Sequence, residues 1–451
     1  MTIIPVLAAA TVGASCLVNI ARWRSVRSNL RWLDDQRSGA LEPPPVLLLI
    51  PAYEEQLRLP ELTDRLIAVR CPPEKLRILF VSSTAEPEPP DGRPTTAAVA
   101  DDQVSRLVQA LPGSAVAHLR CDAANPSMAI QLNAGLHWAA EQGWLTDDPY
   151  VGVIPADAYP APDALQQLAV AVQRGTAAGQ EPPQALQQPT THLRTFAALG
   201  WSFSDLVRRA AGVYQSAFSI GVELSRLRAK ERRPSSWRYA PLSGHGLFVA
   251  SGTLLEHGGF PEQTWCEDIA LTIGYHCAGV TVAPVASIEQ NESPLSWPVY
   301  FNQARTWFTG ATQYRRLGAF ARQIAPGAER RRLSALAYRT WLSACWLGGP
   351  TLVLAALICL AVTAPPLLFL LAIVGWTAAL YAGQVQLWRL CTADHRRPVR
   401  EALAAAVFQL VLAPIGPALA VAARVGLLDR QKAKAVREDL DSQLVPDVPG
   451  S

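Results

Sequence analysis

Charge is what this sequence has least of. Asp, Glu, Lys and Arg make up 17% of its 451 residues, while hydrophobic residues make up 50%. A soluble chain carries roughly 25% charge. That deficit excludes a wholly water-facing surface and asks for apolar runs that meet lipid. Net charge is slight as well, +3 at pH 7, which does not argue for nucleic acid. Paired cysteines are also lacking. The eight cysteines, at positions 16, 71, 121, 266, 277, 345, 359 and 391, form no CxxC pair, and several lie inside apolar runs. A zinc site needs clustered Cys and His at ligand spacing, and no such cluster occurs. They read as small core or membrane residues in a reducing compartment. Internal repeats are missing too, which argues against a transporter with a mid-membrane site between paired halves.

Apolar runs lie near both ends. Residues 2–20 are apolar and are followed at once by Arg22, Arg24, Arg27 and Arg31. About twenty residues cross the hydrocarbon core as a helix. A secretory signal carries its positive charge before the apolar run, so this run is read as an uncleaved anchor with its arginines inside. Residues 335–362 follow Arg330, Arg331 and Arg332; Pro365 and Pro366 make a short connection; residues 367–387 return to Arg389, Arg396, Arg397 and Arg400. Basic clusters at both feet put both in the cytoplasm, and with them everything from Arg22 to Arg332. Residues 402–428 are broken by Pro414, Gly416 and Pro417 into halves of about eleven residues, each too short to cross. A single kinked span would leave Arg430, Lys432, Lys434 and Arg437 outside, so a re-entrant or interfacial form is preferred. The polar end of the chain reads as disordered. The expected plan is an anchor at 1–22, a basic juxtamembrane linker at 23–45, a cytoplasmic domain at 46–332, transmembrane or re-entrant helices at 333–428, and a polar tail at 429–451.

The middle of the chain alternates. The run VLLLIP at 46–51 reads as a buried strand of a parallel sheet. Residues 76–81, 115–119 and 150–154 read as further strands, and 61–69, 101–111 and 129–142 have helical spacing. Alternation of this kind builds an open, doubly wound α/β sheet with helices on both faces. Ligands bind such sheets beyond the carboxyl ends of the strands. That rule selects the residues after Ile50, Val81 and Ile154.

Those residues belong to an ordered series. Pro51-Ala52-Tyr53-Glu54-Glu55 comes first, then Leu132-Asn133-Ala134-Gly135-Leu136 and Pro155-Ala156-Asp157-Ala158-Tyr159-Pro160. Gly244-His245-Gly246-Leu247-Phe248 follows, then Gly258-Gly259-Phe260-Pro261-Glu262, Glu267-Asp268 and Gln303-Ala304-Arg305-Thr306-Trp307. In this order and between these flanking spans, the series resembles the membrane-bound type of glycosyltransferase family 2. The resemblance implies a GT-A-like open, doubly wound mixed sheet with transmembrane helices at both ends. It implies a hexosyltransferase of the inverting type, at the cytoplasmic face of the cell membrane. The donor would be a nucleotide-sugar, the acceptor lipid-linked or a growing polysaccharide, and the cofactor Mg²⁺ or Mn²⁺. Asp268 becomes the base, with Glu267 beside it; a carboxylate within hydrogen-bond reach can take the acceptor's proton during attack. Pro51, Ala52, Tyr53, Glu55, Ser82, Ser83, Asn133 and Asp157 fall on the donor side. Asp157 is also the metal ligand, since hard cations prefer oxygen. His245, Gly246, Gln303, Arg305 and Trp307 fall on the acceptor side.

Departures from the family pattern set up the rival reading. Pro155 stands where the first aspartate of the DxD element belongs, and Met128 near the place of a lysine. Ser82 and Ser83 replace an aspartate after the second strand. Thr306 takes the place of an arginine, with Arg305 one residue early, a turn of roughly 100° around a helix. A catalytically impaired membrane subunit, acting as a scaffold in glycan assembly, would carry such losses; Asp268, Asp157 and Trp307 are kept, which speaks for an enzyme. Plainer roles exist for each: acidic residues suit helix starts, Asp suits turns, and Trp suits membrane interfaces. The basic stretch of Arg208, Arg209, Arg226, Arg228, Lys230, Arg232 and Arg233, flanked by Trp201, Trp237 and Tyr239, is expected to lie on anionic lipid. Partners are then a sugar donor, an amphiphilic acceptor and membrane lipid, and no nucleic acid. The helices are too few for a polysaccharide channel unless the chain oligomerises or accessory membrane subunits join it.

Overall fold

The run Val46–Pro51 has all six residues buried, and the rest of the sheet is laid beside it. The computed structural model describes residues 3–36, 41–89, 92–123, 127–177, 181–233, 236–294, 296–391 and 397–427. The expected disordered tail, with Arg430, Lys432, Lys434 and Arg437, lies outside the described residues, as does Arg396.

Helix α1 (Ile3–Gln36) leads into β1 (Val46–Pro51), α2 (Leu59–Ile67), β2 (Leu76–Ser83), α3 (Thr96–Ala110), β3 (Ala115–Cys121), α4 (Met128–Glu141) and β4 (Tyr150–Val153). The four strands pair in parallel, with Leu48 opposite both Ile78 and Gly152. Parallel strands need both faces covered. Leu47, Leu49, Leu79 and Val81 face α4, while Val46, Leu48, Ile50, Ile78 and Phe80 face α2 and α3. At Gly135 a Cβ would lie 2.9 Å from Val81, so α4 rests directly on the sheet. Helix α3 begins five residues before its expected start. Thr95 caps it, its Oγ1 accepting from the Ala98 amide at 3.2 Å.

The second half runs through β5 (Ala158–Tyr159), α5 (Ala164–Ala177), β6 (Ala185–Gln187), β7 (Thr190–Thr191), α6 (Phe203–Phe218), α7 (Leu224–Arg232), β8 (Leu247–Ala250), α8 (Ser251–Glu256), α9 (Glu267–Ala278), β9 (Val282–Pro284) and β10 (Glu289–Asn291). The sheet order is β3-β2-β1-β4-β8-β6-β9. Strand β8 is antiparallel to both neighbours, which makes the sheet mixed. A second sheet, β5-β10-β7, grows from the chain just after β4, β6 and β9. These three strands all run the same way, so the small sheet stands at their carboxyl edge, where ligands are bound.

The remaining helices are α10 (Trp297–Ala311), α11 (Tyr314–Ile324), α12 (Glu329–Thr363), α13 (Pro366–Cys391), α14 (Pro398–Val407) and α15 (Ile415–Arg424). Four stretches are long and apolar enough to cross a membrane: α1, α12, α13, and Pro398–Arg424 as a whole. Helices α1 and α13 run parallel. Trp376 Nε1 donates to Ser15 Oγ at 3.0 Å, and a Cβ on Gly383 would lie 3.0 Å from the Asn19 carbonyl.

Helix α1 outlasts the expected anchor. Its 34 residues reach about 51 Å at ~1.5 Å per residue, against about 30 Å of hydrocarbon. The segment from residue 23, expected as a linker, stays helical to Gln36. Val26 and Leu33 are buried and Leu30 packs beside them, so a helical apolar stripe continues beneath the arginines. Asn29 Nδ2 donates to the Ile220 carbonyl at 2.5 Å, and Arg228 donates to Asn29 Oδ1 at 2.5 Å.

The last apolar stretch begins with α14 packed on α6 and α13. A π-turn at Phe408–Leu412 and Pro414 redirect it. Helix α15 then runs alongside α10. A Cβ on Gly416 would collide with Ala304 and lie 3.1 Å from the Arg305 amide nitrogen, and Arg424 donates to the Thr312 carbonyl at 3.2 Å. Both ends of the stretch therefore rest on the same α/β domain.

Candidate active site

The small sheet gathers the first carboxylates. Asp157 immediately precedes β5, and Glu289 opens β10 with no surface exposed. Burial, and then the charge of Asp157, push the Glu289 carboxyl well above its ordinary range. The Gly246 amide faces Glu289, while its Oε2 has no hydrogen bond of ordinary geometry. His245 Nδ1 stands 3.8 Å from Glu289 Oε1. The loop carrying His245 is pinned by two glutamines at the end of β6. Ser243 donates its amide to Gln187 Oε1 at 2.8 Å, Gln187 Nε2 donates to the His245 carbonyl at 2.6 Å, and the Gln188 amide donates to the Gly246 carbonyl at 2.9 Å. Gly246 has φ +59° and lies so close to Gln188 that a Cβ would come within 2.8 Å of it; only glycine fits there.

Asp268 sits in the first turn of α9, where the helix end favours a carboxylate. Its Oδ2 accepts from the Gly244 amide at 3.1 Å and its Oδ1 from the Ile269 amide at 2.7 Å. Enclosure raises its pKa, against the pull of those two amides and of His245 and Arg339. Glu267 turns to the same glycine. A Cβ on Gly244 would lie 3.2 Å from Glu267 Oε1 and 3.0 Å from Met128 Cε. His245 thus stands between Asp268 and Glu289, and Glu289 stands beside Asp157, so the groups are linked in series.

Helix α10 is locked onto the Asp268 loop by its far half. Gly310 packs directly on Cys266, and the Trp265 amide donates to Gln313 Oε1 at 3.0 Å. Gln303, Arg305 and Trp307 ride on this helix, each half-buried. Two residues expected on the donor side have hydrogen-bond partners within the chain. Asn133 Oδ1 accepts from the Phe260 amide at 2.7 Å, while its Nδ2 donates to the Phe260 carbonyl at 2.8 Å and to Glu262 at 2.7 Å. Its amide is spent on shaping the Gly258–Glu262 loop that leads to Asp268. Ser82 Oγ lies 2.7 Å from His118 Nε2, and His118 Nδ1 lies 2.7 Å from Asp101 Oδ1. That is a serine–histidine–acid chain, but Ser82 has no exposed surface, so it braces β2 against β3. Ser83 caps a turn, its Oγ accepting from the Ala85 amide at 3.1 Å.

Glu86 is a carboxylate in the loop after β2. Its Oε1 accepts from the Thr96 amide at 3.0 Å. Enclosure, Glu54 and then Glu86 raise the pKa of Tyr53, so Glu86 lies near that phenol. The Pro51–Glu55 turn is held firmly. Ala52 donates its amide to the Val81 carbonyl at 2.9 Å, Gln131 Nε2 donates to the Ala52 carbonyl at 3.0 Å, and the Glu55 amide donates to Thr96 Oγ1 at 2.9 Å. Arg58 bridges Glu55 at 3.3 Å and Glu292 at 2.8 Å.

Two arginines lie where sequence reading did not put them. Arg339 fell inside an expected membrane span, yet its charge reaches Asp268 and Glu223. Arg226 also faces Glu223 and sits 4.9 Å from the rings of Tyr239 and Tyr338. The basic stretch is accordingly less lipid-facing than expected. Arg209 is buried, lies 4.6 Å from the Trp201 ring and donates to the Leu199 carbonyl at 2.5 Å; Arg228 holds α1.

For a divalent cation, no cluster of three His, Cys, Asp or Glu close enough to ligate occurs among the described residues. Asp157 with Glu289 behind it still fits a cation that arrives on phosphate, because magnesium is typically bound by one or two carboxylates plus substrate oxygens.

No family model matches this chain, and no curated protein matches it. Solved structures do. Mannosyltransferase PcManGT from Pyrobaculum calidifontis, in complex with GDP-Man and Mn²⁺, is 19% identical over 90% of this chain and 99% of its own, with a TM-score of 0.48. S. aureus TarS 1-349 in complex with UDP-GlcNAc is 13% identical over 84% of this chain and 92% of its own, with a TM-score of 0.36. A mycobacterial protein is 17% identical over 65% of this chain and 74% of its own, with a TM-score of 0.30.

Proposed function

We propose that the chain is an inverting hexosyltransferase that moves a sugar from a nucleotide-sugar to a lipid-linked or polysaccharide acceptor at the cytoplasmic membrane face. One observation carries the reading: Asp268, enclosed at a helix start and held by two backbone amides, with His245 and Arg339 beside it. Enclosure makes this carboxylate a better proton acceptor than an exposed one. The acceptor O–H gives its proton to Asp268 as its oxygen forms a bond to the sugar's anomeric carbon. The bond from that carbon to phosphate breaks on the opposite face, and the nucleoside diphosphate leaves with the electron pair. Arg339 and His245 stand beside Asp268, where the acceptor oxygen would be activated. Asp157, backed by Glu289, is the group that would hold Mg²⁺ or Mn²⁺ on the donor phosphates, neutralising the departing charge. Tyr53 and Glu86 flank the place for the nucleotide base.

A second reading, the scaffold, rests on Met128, whose methyl group points at Gly244 where a phosphate-binding cation would help. The test is nucleotide release from a panel of nucleotide-sugars, using membranes that carry either the parent or Asp268→Asn. Release by the parent, falling about 10²–10⁴-fold in the variant, supports the enzyme. Equal release from both would end the assignment of the base. A folded parent that releases nucleotide from no donor would favour the scaffold.

A further inference from the structure

A separate cavity of about 490 Å³ opens at the other end of α9. Asp268 is in that helix's first turn and His276 in its last, about 12 Å apart along the axis at ~1.5 Å per residue. The cavity is walled by α7, by the end of α9 and β9, and by the first turn of α12. Lys230, Arg330 and Arg331 line it, together with His276 and Trp237. Among the described residues none of the three cations has a carboxylate partner. Lys230 donates to the Ser236 carbonyl at 3.0 Å, and Arg331 donates to the Cys277 carbonyl at 3.3 Å. Two carboxylates share the wall: Glu231 turns to Arg174 at 3.4 Å, and Glu181 is the other.

His276 is 8% exposed and its Nε2 has no hydrogen-bond partner. Burial, then Lys230 and Arg331, hold its pKa down to about 4, so the ring is neutral near pH 7. Lys230 Nζ stands 3.5 Å from Nδ1, and an ammonium has only protons to offer. Nδ1 is therefore the acceptor and Nε2 carries the N–H. A buried donor without an acceptor, beside Lys230 and Arg331 in a cavity that Arg330 also lines, calls for anionic oxygen. The volume exceeds that of a bare ion and matches small-molecule sites, and Trp237, 56% exposed, offers an apolar wall to an organic body.

We propose that this cavity binds a phosphate-bearing anion, at the junction of the α/β domain and the foot of α12, independently of the sugar-donor crevice. The phosphate can come from a soluble phosphomonoester or from an anionic lipid headgroup, and the experiment separates them. The full chain is titrated calorimetrically in neutral detergent with inorganic phosphate and with glycerol 3-phosphate. In parallel, native mass spectrometry reads phosphatidylglycerol retained after release from nanodiscs of mixed phosphatidylcholine and phosphatidylglycerol. In at least one arm the parent binds, and Arg330→Gln and Lys230→Gln each weaken binding by about tenfold or more, as losing a charged hydrogen bond does. Arg330→Lys keeps most of it. Saturable binding of the soluble phosphates assigns the first source; retention of phosphatidylglycerol alone assigns the second. Arg330 is exposed, so Arg330→Gln leaves the fold intact and its result stands even if Lys230→Gln fails to fold. Binding that survives Arg330→Gln belongs to another site and overturns the proposal, as does a parent that binds in neither arm.

Discussion

Single residues divide into those whose type announced their work and those whose neighbours decided it. Asp268 stood out because the Gly258–Glu262 segment precedes it, and its surroundings suit a base. Asn133 and Ser82 stood out for the same kind of reason, but their partners within the chain gave no signal, because hydrogen-bond partners distant in sequence cannot be read from spacing. Glu289 gave no signal at all: the stretch Ser287-Ile288-Glu289-Gln290-Asn291 looks like a polar loop, and only the small sheet buries it beside Asp157. Its environment makes a prediction. Folding raises the Glu289 pKa, so near neutral pH the unfolded chain releases a proton that the folded chain resists losing. By linkage, stability falls as pH rises from the unfolded value of about 4.3 through the folded value. Glu289→Gln, which keeps the shape and removes the titration, is expected to raise Tm at pH 7, with the gain shrinking toward about pH 4. Melting curves of parent and variant across that range check it; a lower Tm for the variant at pH 7 would mean that the ionised carboxylate is needed. Asp268 follows the same sign. Asp268→Asn should hold or raise Tm at pH 7 while removing transfer, and the parent's rate should fall on acidification at a pH above the usual Asp range near 3.9, because a protonated base accepts nothing.

Elements were more legible than residues, and the reason is periodicity. Strands β1 and β2 are unbroken apolar runs because parallel strands are covered on both faces, and α2 to α4 keep helical spacing. Strands β5, β7 and β10 are two or three residues each, too short for any period to show. Close helix crossings were equally silent. Nothing in the sequence links Gly416 to Ala304 or Gly310 to Cys266, yet these contacts set α10 between the Asp268 loop and α15. A leucine at position 416 overpacks that crossing. Overpacking costs typically about 1–3 kcal/mol, so Gly416→Leu is expected to lower Tm and to shift α10 enough to reduce transfer. Gly348→Ala is the control, because nothing lies within 4 Å of an added Cβ there. Similar losses in both variants would show that the crossing has no special part.

At the scale of the whole molecule, the charge rule and the packing answer to the same geometry. Helices α1 and α13 run parallel, and α12 runs back against them, so the ends at Gln36, Glu329 and Arg389 share one side. Those ends carry the arginines that the positive-inside rule assigns to the cytoplasm, and the α/β domain is strung between the first two. The composition of residues 398–424 permits a fourth crossing. Its contacts argue otherwise. The segment leaves the α13 foot, packs α14 on α6, turns at Pro414, and returns α15 along α10 until Arg424 reaches the Thr312 carbonyl. A segment that starts and finishes on one domain is expected to stay on one side, since each half is too short to span about 30 Å of hydrocarbon. A fluorescent protein fused after Leu427 is therefore expected to fluoresce inside the cell, and alkaline phosphatase fused at the same point to stay inactive. The opposite pair of readouts would make 398–424 a true crossing. It would also require Arg424 and Thr312 to part, which the Arg424→Ala variant can register independently as an unchanged Tm.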